Sequence, residues 1–388
     1  MITHHNLSYL IYGKTGYGHA VRLVAILRAL NNRDNFTVSV FANNAVWPVL
    51  YPVTSSSDTQ LNSFDYLFYE DQTSPGSFEN QEECRIFFET NKEHLDEWKE
   101  SIIFTDFVKH AIYIKQCFGT PLLGLTHSDL IVRRKDTSEV ASWKNFVRQA
   151  IDKCDVVLQS TLLPEQQTIA NVIPVPIISR KPTCTTEQLK MRIGLSHDEQ
   201  FILYYPGVEK GPKRYPHLDD IQNALSELQL PFHVVVMHGI HSSGQKPHTD
   251  KFGCIHVYNE QEGQNFVNAA SFVIAKPGMS LFSECIATRT PVLMCHAATG
   301  ETLVREEMYG QIIGDKPPIL DKFDKYSVLV AIENLVEQSS YIRDAFGKVR
   351  SDGDQVVANM LIEVMAYLSN FSSVDGLLEY LRSVAPQG

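Results

Sequence analysis

The stretch LIYGKTGYGHAVRLVAILRAL, Leu10 to Leu30, joins an apolar run to a glycine turn and then to a helical pattern. Val21, Val24, Leu27 and Leu30, with Leu23 and Ile26, recur at the spacing of one buried helix face. Strand, glycine turn and helix in that order open an α/β unit, so the loop's chemistry bears on the whole reading. Gly13-Lys14-Thr15 resembles the end of a triphosphate loop, but that motif needs a glycine where Ser8 stands. A dinucleotide fingerprint fares no better. The glycine order is G-x-x-G-x-G, and the second strand closes "VFANN" without the acidic residue that would hold a ribose. What remains is a turn with Gly16 and Gly18, a histidine at the helix start, His19, and Arg22 one turn on. Glycines let a backbone approach a ligand closely. The positive helix end opposes a second positive charge, which favours a neutral imidazole suited to general-base work. The bland alternative is a capping or core histidine.

Working outward, strand and helix signals alternate. "LSYLIYG", "FTVSVFA", "FDYLFYE", "SIIFTDF", "PLLGLTHS" and "DVVLQS" read as strands. Between them lie a long polar helix over 78–100, a helix in "VKHAIYIKQCFG" and another over 138–153. "NVIPVPIISRKPT", with prolines at 174, 176 and 182, reads as an extended connector. The alternation then restarts with "FILYYPG", "FHVVVMHG", "IHVYN", "SFVIAKPG" and "PVLMCHA" as strands. Helices are expected over 217–230, over 279–289, from about 301, and over 325–383 with breaks. Short apolar runs separated by helices predict parallel sheets covered on both faces. The chain of 388 residues therefore reads as two doubly wound units, and a cleft between domains is the default ligand site.

Composition agrees with a globular protein: 44% hydrophobic and 20% charged residues. A net charge of −11 and the lack of a basic run argue against nucleic acid as a partner and allow at most peripheral membrane contact. The seven cysteines form an odd set without CxxC spacing, several inside apolar runs, and read as small hydrophobes in a reducing compartment. Met1 to Asn6 is polar, and no run reaches the roughly 18 apolar residues of a spanning helix, so a cytoplasmic protein is expected.

Two further segments carry chemistry. In "SIIFTDF", Asp106 closes a strand on the same sheet edge as His19, where it could fix the imidazole tautomer; the alternative is a helix N-cap. In "FVIAKPGMSLFSECIA", a strand ends at Lys276-Pro277-Gly278 and a helix opens near Met279 and Ser280, an N-terminus able to bind a diphosphate. Glu284 lies more than a turn into that helix, placed for vicinal ribose hydroxyls. "MHGIHSSGQKPHTD" holds His238, His241 and His248, but without cysteine or regular ligand spacing it reads as a polar loop rather than a metal site.

These elements together resemble the two-domain GT-B glycosyltransferases, nearest the branches forming plant and microbial glycosides and the peptidoglycan N-acetylglucosaminyltransferase. The resemblance rests on Gly18-His19, on Asp106, on the Gly-x₅-Glu segment from Gly278 to Glu284, and on Gly207 in "PGVEKGPKRYP". It implies an α/β fold of two tandem Rossmann-like domains, with residues 1–178 binding acceptor and 179–388 binding donor. It further implies that His19 deprotonates an acceptor hydroxyl and Asp106 orients it, with Gly16, Gly18 and Arg22 in the acceptor-side loop. Lys276, Gly278, Met279 and Ser280 would meet the diphosphate, Glu284 the ribose, and Gly207 would line the donor site. The implied reaction is inverting and metal-independent, with a UDP- or dTDP-sugar as co-substrate rather than a cofactor. The acceptor would be a small molecule, a lipid or a glycan.

The sequence also departs from the family. Leu281 stands where Ser or Thr is common, leaving Ser280 as the nearest hydroxyl, and Lys276 stands where histidine is common. The pair that usually holds the donor sugar is missing, and Glu301 and Thr302 occupy its place. Two rival readings follow. A nucleotide-sugar hydrolase of the same fold uses a similar Gly-His-x-x-Arg loop, which Arg22 satisfies. A non-catalytic nucleotide-binding scaffold would explain the missing sugar pair.

Overall fold

The computed structural model describes residues 6–11, 18–30, 37–42, 46–54, 59–63, 81–106, 109–126, 148–162, 169–207, 217–228, 230–238, 247–258, 260–276, 278–296, 300–314, 316–371 and 373–385. They divide into two compact units, Met1–Ile178 with Asp352–Gly388, and Ser179–Ser351.

The first unit carries strands β1 (Asn6–Ile11), β2 (Thr37–Ala42), β3 (Thr59–Ser63), β4 (Ser101–Thr105), β5 (Leu122–Thr126), β6 (Val156–Ser160) and β7 (Val172–Val175). They form one parallel sheet in the order β3-β2-β1-β4-β5-β6-β7, with Leu10 in register with Phe41 on one side and Thr105 on the other. β4, β5 and β6 are buried along their whole length, as strands covered on both faces must be. Its helices are α1 (Gly18–Leu30), α2 (Trp47–Thr54), α3 (Gln81–Thr90), α4 (Leu95–Glu100), α5 (Lys109–Phe118) and α6 (148–153). Leu10, Phe41, Phe87, Trp98, Ile103 and Tyr113 share one core, in which Phe87 stacks on Trp98 at 5.5 Å.

The second unit holds β8 (Phe201–Tyr205), β9 (His233–Met237), β10 (His248–Thr249), β11 (Ile255–Val257), β12 (Phe272–Ala275), β13 (Val292–Cys295) and β14 (Ile319–Leu320). The order is β10-β11-β9-β8-β12-β13-β14, parallel except for the antiparallel β10 at one edge. α7 (Thr186–Arg192), α8 (Leu218–Glu227), α9 (Gly263–Ala269), α10 (Met279–Ala287), α11 (Gly300–Ile313) and α12 (Lys325–Phe346) belong to it. The last two helices, α13 (Gly353–Phe371) and α14 (Leu377–Val384), return to the first unit, where α13 packs on α1. The expectation that residues through 388 belong to the second domain is thereby corrected.

Three other expectations change. The proline-bearing connector supplies β7, an edge strand whose Pro174 is exposed, and an edge tolerates a residue that cannot donate to a ladder. The long polar helix is two helices broken at Asn91, whose side-chain amide donates to the Phe87 carbonyl at 2.9 Å while its backbone leaves the helical region. The third strand is 59–63, whereas "FDYLFYE" lies outside the described residues. Among the described residues no helix is long and apolar enough to cross a membrane.

Candidate functional site

Both sheets have a topological switch point, where chain progression reverses direction between adjacent strands; such edges are the usual ligand sites of open α/β sheets. In the first unit it lies between β1 and β4. α1 follows β1 and delivers His19 and Arg22 to it, and Asp106 follows β4 directly. His19 Nδ1 stands 2.9 Å from Asp106 Oδ2. The imidazole is 39% exposed and the carboxylate 3%, so the ring meets solvent while its partner is held inside.

Arg22 completes the group. Its guanidinium donates to Asp106 Oδ2 through both Nη2 and Nε, and Nη2 also lies 2.9 Å from His19 Nδ1. Arginine can only donate, so if the neutral imidazole points its Nδ1–H at Asp106, the N–H groups of His19 and Arg22 converge on one oxygen and Nε2 keeps its lone pair. Arg22 is buried in the second turn of α1. Gly18 is the first residue of α1, and Gly16 lies outside the described residues. Beneath the group sits Tyr9, fully buried, edge-on to Phe104 at 4.8 Å. Burial first, then the charge of Asp106, pushes its phenol well above the ordinary range against the influence of Arg22, which leaves it an inert support.

In the second unit the switch point lies between β8 and β12. Gly207, with φ of 79°, turns the chain after β8, a conformation that favours glycine. Lys276 and Gly278 follow β12, and α10 opens at Met279 with Gly278 as its N-cap and no capping side chain. A Cβ at Gly278 would meet nothing nearer than the Lys276 carbonyl at 4.0 Å, and its φ is −87°. Among the described residues nothing therefore requires glycine there, and no described side chain caps the helix N-terminus.

Ser280 is half-buried on the first turn of α10, and Met279 is buried. Glu284 is buried too, and its Oε1 accepts from Arg180 Nε at 2.7 Å. Arg180 Nη1 also donates to the Gln261 carbonyl at 2.6 Å. Burial works against the Arg180 cation, but Glu284, with Glu262 and Tyr205, more than offsets it and raises its pKa. The carboxylate expected on the ribose is thus oriented by a guanidinium. Glu301 and Thr302 fall in α11, with side chains outside the described residues.

Sequence reasoning missed Arg180 altogether and did not pair Arg22 with Asp106. The spacing of His19 and Arg22 on one helix face was the available signal for the second; nothing local marks the first, whose partner is 104 residues away. It also missed a chain of contacts beside the same edge: Asp250 Oδ2 to His256 Nε2 at 3.1 Å, and His256 Nδ1 to His238 Nε2 at 2.8 Å. His238 stacks on Tyr258 at 4.3 Å and His248 on His256 at 4.9 Å; His241 lies outside the described residues.

The sequence matches no protein-family model and no curated protein. Solved structures do resemble it. Phytolacca americana UGT2, complexed with UDP-2-fluoro-glucose and pterostilbene, superposes with a TM-score of 0.64 at 11% identity, over 95% of this chain and all of that one (100%). Arabidopsis thaliana UGT89C1, complexed with UDP, gives 0.63 at 10% identity over 94% of this chain and 99% of that one. CalG4, the calicheamicin glycosyltransferase, gives 0.58 at 14% identity over 96% and 100%. These likenesses span both units, and the chain has the GT-B fold.

Proposed function

We propose that the protein is a glycosyltransferase that moves a sugar from a nucleoside diphosphate to an acceptor hydroxyl. The observation that carries this reading is the exposed His19 imidazole 2.9 Å from a buried carboxylate, Asp106, at the switch point of the first sheet. With Nδ1–H held by Asp106, His19 Nε2 takes the acceptor proton as the oxygen attacks the anomeric carbon. Asp106 then stabilises the imidazolium, and Arg22, donating to the same carboxylate, holds it in place.

The second unit holds the donor. Charge grows on the departing diphosphate in the transition state, and the open N-terminus of α10 with Lys276 beside it opposes that charge. Glu284, oriented by Arg180, accepts from ribose hydroxyls. A single displacement by a base-activated hydroxyl inverts the anomeric centre, and the helix terminus serves where a metal ion could otherwise carry the leaving-group charge. UDP- and dTDP-sugars are the donors to try first, and the acceptor is a small molecule, lipid or glycan.

Thermal-shift titration with UDP, dTDP and their hexose conjugates tests the donor site; release of nucleoside diphosphate on adding hydroxyl acceptors tests transfer. His19→Ala should retain nucleotide binding and lose turnover by roughly a hundred- to ten-thousand-fold, the usual worth of a general base. No shift with any nucleoside diphosphate would sink the donor assignment. Arg22 on His19 and Asp106 also suits a second reading, a nucleotide-sugar hydrolase with a Gly-His-x-x-Arg loop. Sugar release at the same rate with and without acceptor would favour it. Unchanged biological activity of His19→Ala would point instead to a non-catalytic scaffold.

A further inference from the structure

All seven cysteines are unbridged, yet two of them face each other. Cys84 on α3 and Cys117 on α5 bring their Sγ atoms to 3.9 Å across the packed pair of helices. The helices are already fastened there: Phe87 stacks on His110 at 4.6 Å, Phe88 meets Phe118 edge-on at 5.4 Å, and His110 Nε2 stands 3.9 Å from the buried Glu83. A disulfide needs the two sulfurs at about 2.05 Å, so from 3.9 Å they must approach by roughly 2 Å, within reach of side-chain rotation and a small helix shift. The surroundings differ between the two. Cys117 is exposed and Cys84 is partly covered. Neither belongs to the switch-point groups of either unit; of the other five cysteines, Cys154, Cys254, Cys285 and Cys295 are buried and Cys184 is half-buried.

We propose that Cys84 and Cys117 form a reversible redox site, closed to an intramolecular disulfide by peroxide and reopened by thiol reductants. The Cys117 thiolate attacks one oxygen of the peroxide, forming an S–O bond as the O–O bond breaks. With hydrogen peroxide, the departing hydroxide takes up the thiol's proton and leaves as water. The Cys84 thiol then attacks the Cys117 sulfenic sulfur, forming the S–S bond and releasing the S–O oxygen as a second water. Two thiols lose two electrons, and the peroxide gains them. Exposure assigns the first attack to Cys117. Burial, with Cys117 and Glu83 adding to it, pushes the Cys84 thiol up to about 11, which suits the resolving partner rather than the sensor. Because α5 starts at Lys109, three residues past Asp106, the staple anchors the helix that runs on from the proposed catalytic carboxylate.

The test treats the full-length protein with hydrogen peroxide under native conditions and reads intact mass and tryptic peptides without reduction. The expected result is a monomer lighter by two hydrogens, containing a peptide cross-linked between Cys84 and Cys117 and restored by dithiothreitol. Cys84→Ser should leave a sulfenic acid on Cys117 that dimedone traps, and Cys117→Ser should block both products, each variant keeping the wild-type circular dichroism. The proposal is overturned if no 84–117 peptide forms, if Cys117 is oxidised only to intermolecular dimers or higher acids, or if Cys84 is trapped first. None of these outcomes depends on the transferase reading.

Discussion

At the scale of single residues, the Asp106–Arg22 pair decides more than its size suggests. Both side chains are 3% exposed, so each is the other's chief compensation for leaving water. Removing one member of such a pair strands a buried charge, at a cost of about 3–5 kcal/mol, whereas removing both for apolar groups is close to neutral. Asp106→Ala is expected to lower unfolding stability by that amount. The double variant Asp106→Ala with Arg22→Met should recover most of the loss in urea titration while staying inactive. Identical urea midpoints for wild type and Asp106→Ala would refute the structural half of this account. The position of His19 and Asp106 was legible in the sequence because one opens the helix after β1 and the other directly follows β4, and helix starts and strand ends of one parallel sheet share an edge. The counter-ions were not legible. Arg22 meets a carboxylate 84 residues away and Arg180 one 104 residues away, and no local pattern encodes such distances.

At the scale of elements, α10 allows folding and binding to be separated. Gly278→Ala adds a methyl group where the nearest protein atom is 4.0 Å away, at a negative φ. Alanine is a poorer N-cap than glycine, by roughly 0.5–1 kcal/mol, so the urea midpoint should fall only modestly. A nucleoside diphosphate seated on the first turn would collide with that methyl, and affinity should fall about tenfold or more, a loss of about 1.4 kcal/mol per decade. Unchanged affinity in a calorimetric titration would remove the diphosphate from this terminus.

The elements at the β9–β11 edge make a different prediction. Burial holds the His256 imidazole below its ordinary 6.5, and His238 and His248 add to this against the bond from Asp250. The folded state therefore prefers neutral His256, and stability must fall as pH drops below the unfolded value and the unfolded chain binds the extra proton. Asp250 is also depressed: burial would raise it, but His256 and the N–H groups of Cys254 and Phe252 outweigh that. Its contribution is present above the ordinary carboxylate value and lost only in stronger acid. The urea midpoint should thus decline between about pH 7 and pH 5, and His256→Asn should flatten that decline. An equally steep decline in the variant would place the effect elsewhere.

At the scale of the whole molecule, chain order and packing disagree. The alternation of apolar runs showed two α/β units, and the break between Ile178 and Ser179 falls within the proline-rich segment. The destination of the last 37 residues, Asp352–Gly388, did not show, because an amphipathic helix carries no mark of which core will cover it. α13 buries Val356, Val357, Met360, Leu361, Val364 and Met365 in the first unit. At about 1.5–3 kcal/mol per buried side chain, these contribute a gross stabilisation on the order of 10 kcal/mol, comparable with the whole net stability of a domain. The helix also begins where nothing larger than glycine fits. A Cβ at Gly353 would lie 2.1 Å from the Pro176 carbonyl oxygen and 2.7 Å from that of Ile177, which accepts from the Gly353 N–H at 3.1 Å. Residues 179–351 expressed alone should therefore unfold cooperatively in urea, since their sheet and core are complete. Residues 1–178 alone should not, until a peptide of 352–388 is added. Gly353→Ala in the full chain should lower the stability of the first unit by several kcal/mol, on the order of a severe core overpacking, while the second unit keeps its own transition. A cooperative 1–178 fragment, or a silent Gly353→Ala, would show that the C-terminal helices are an accessory to the first unit rather than part of its core.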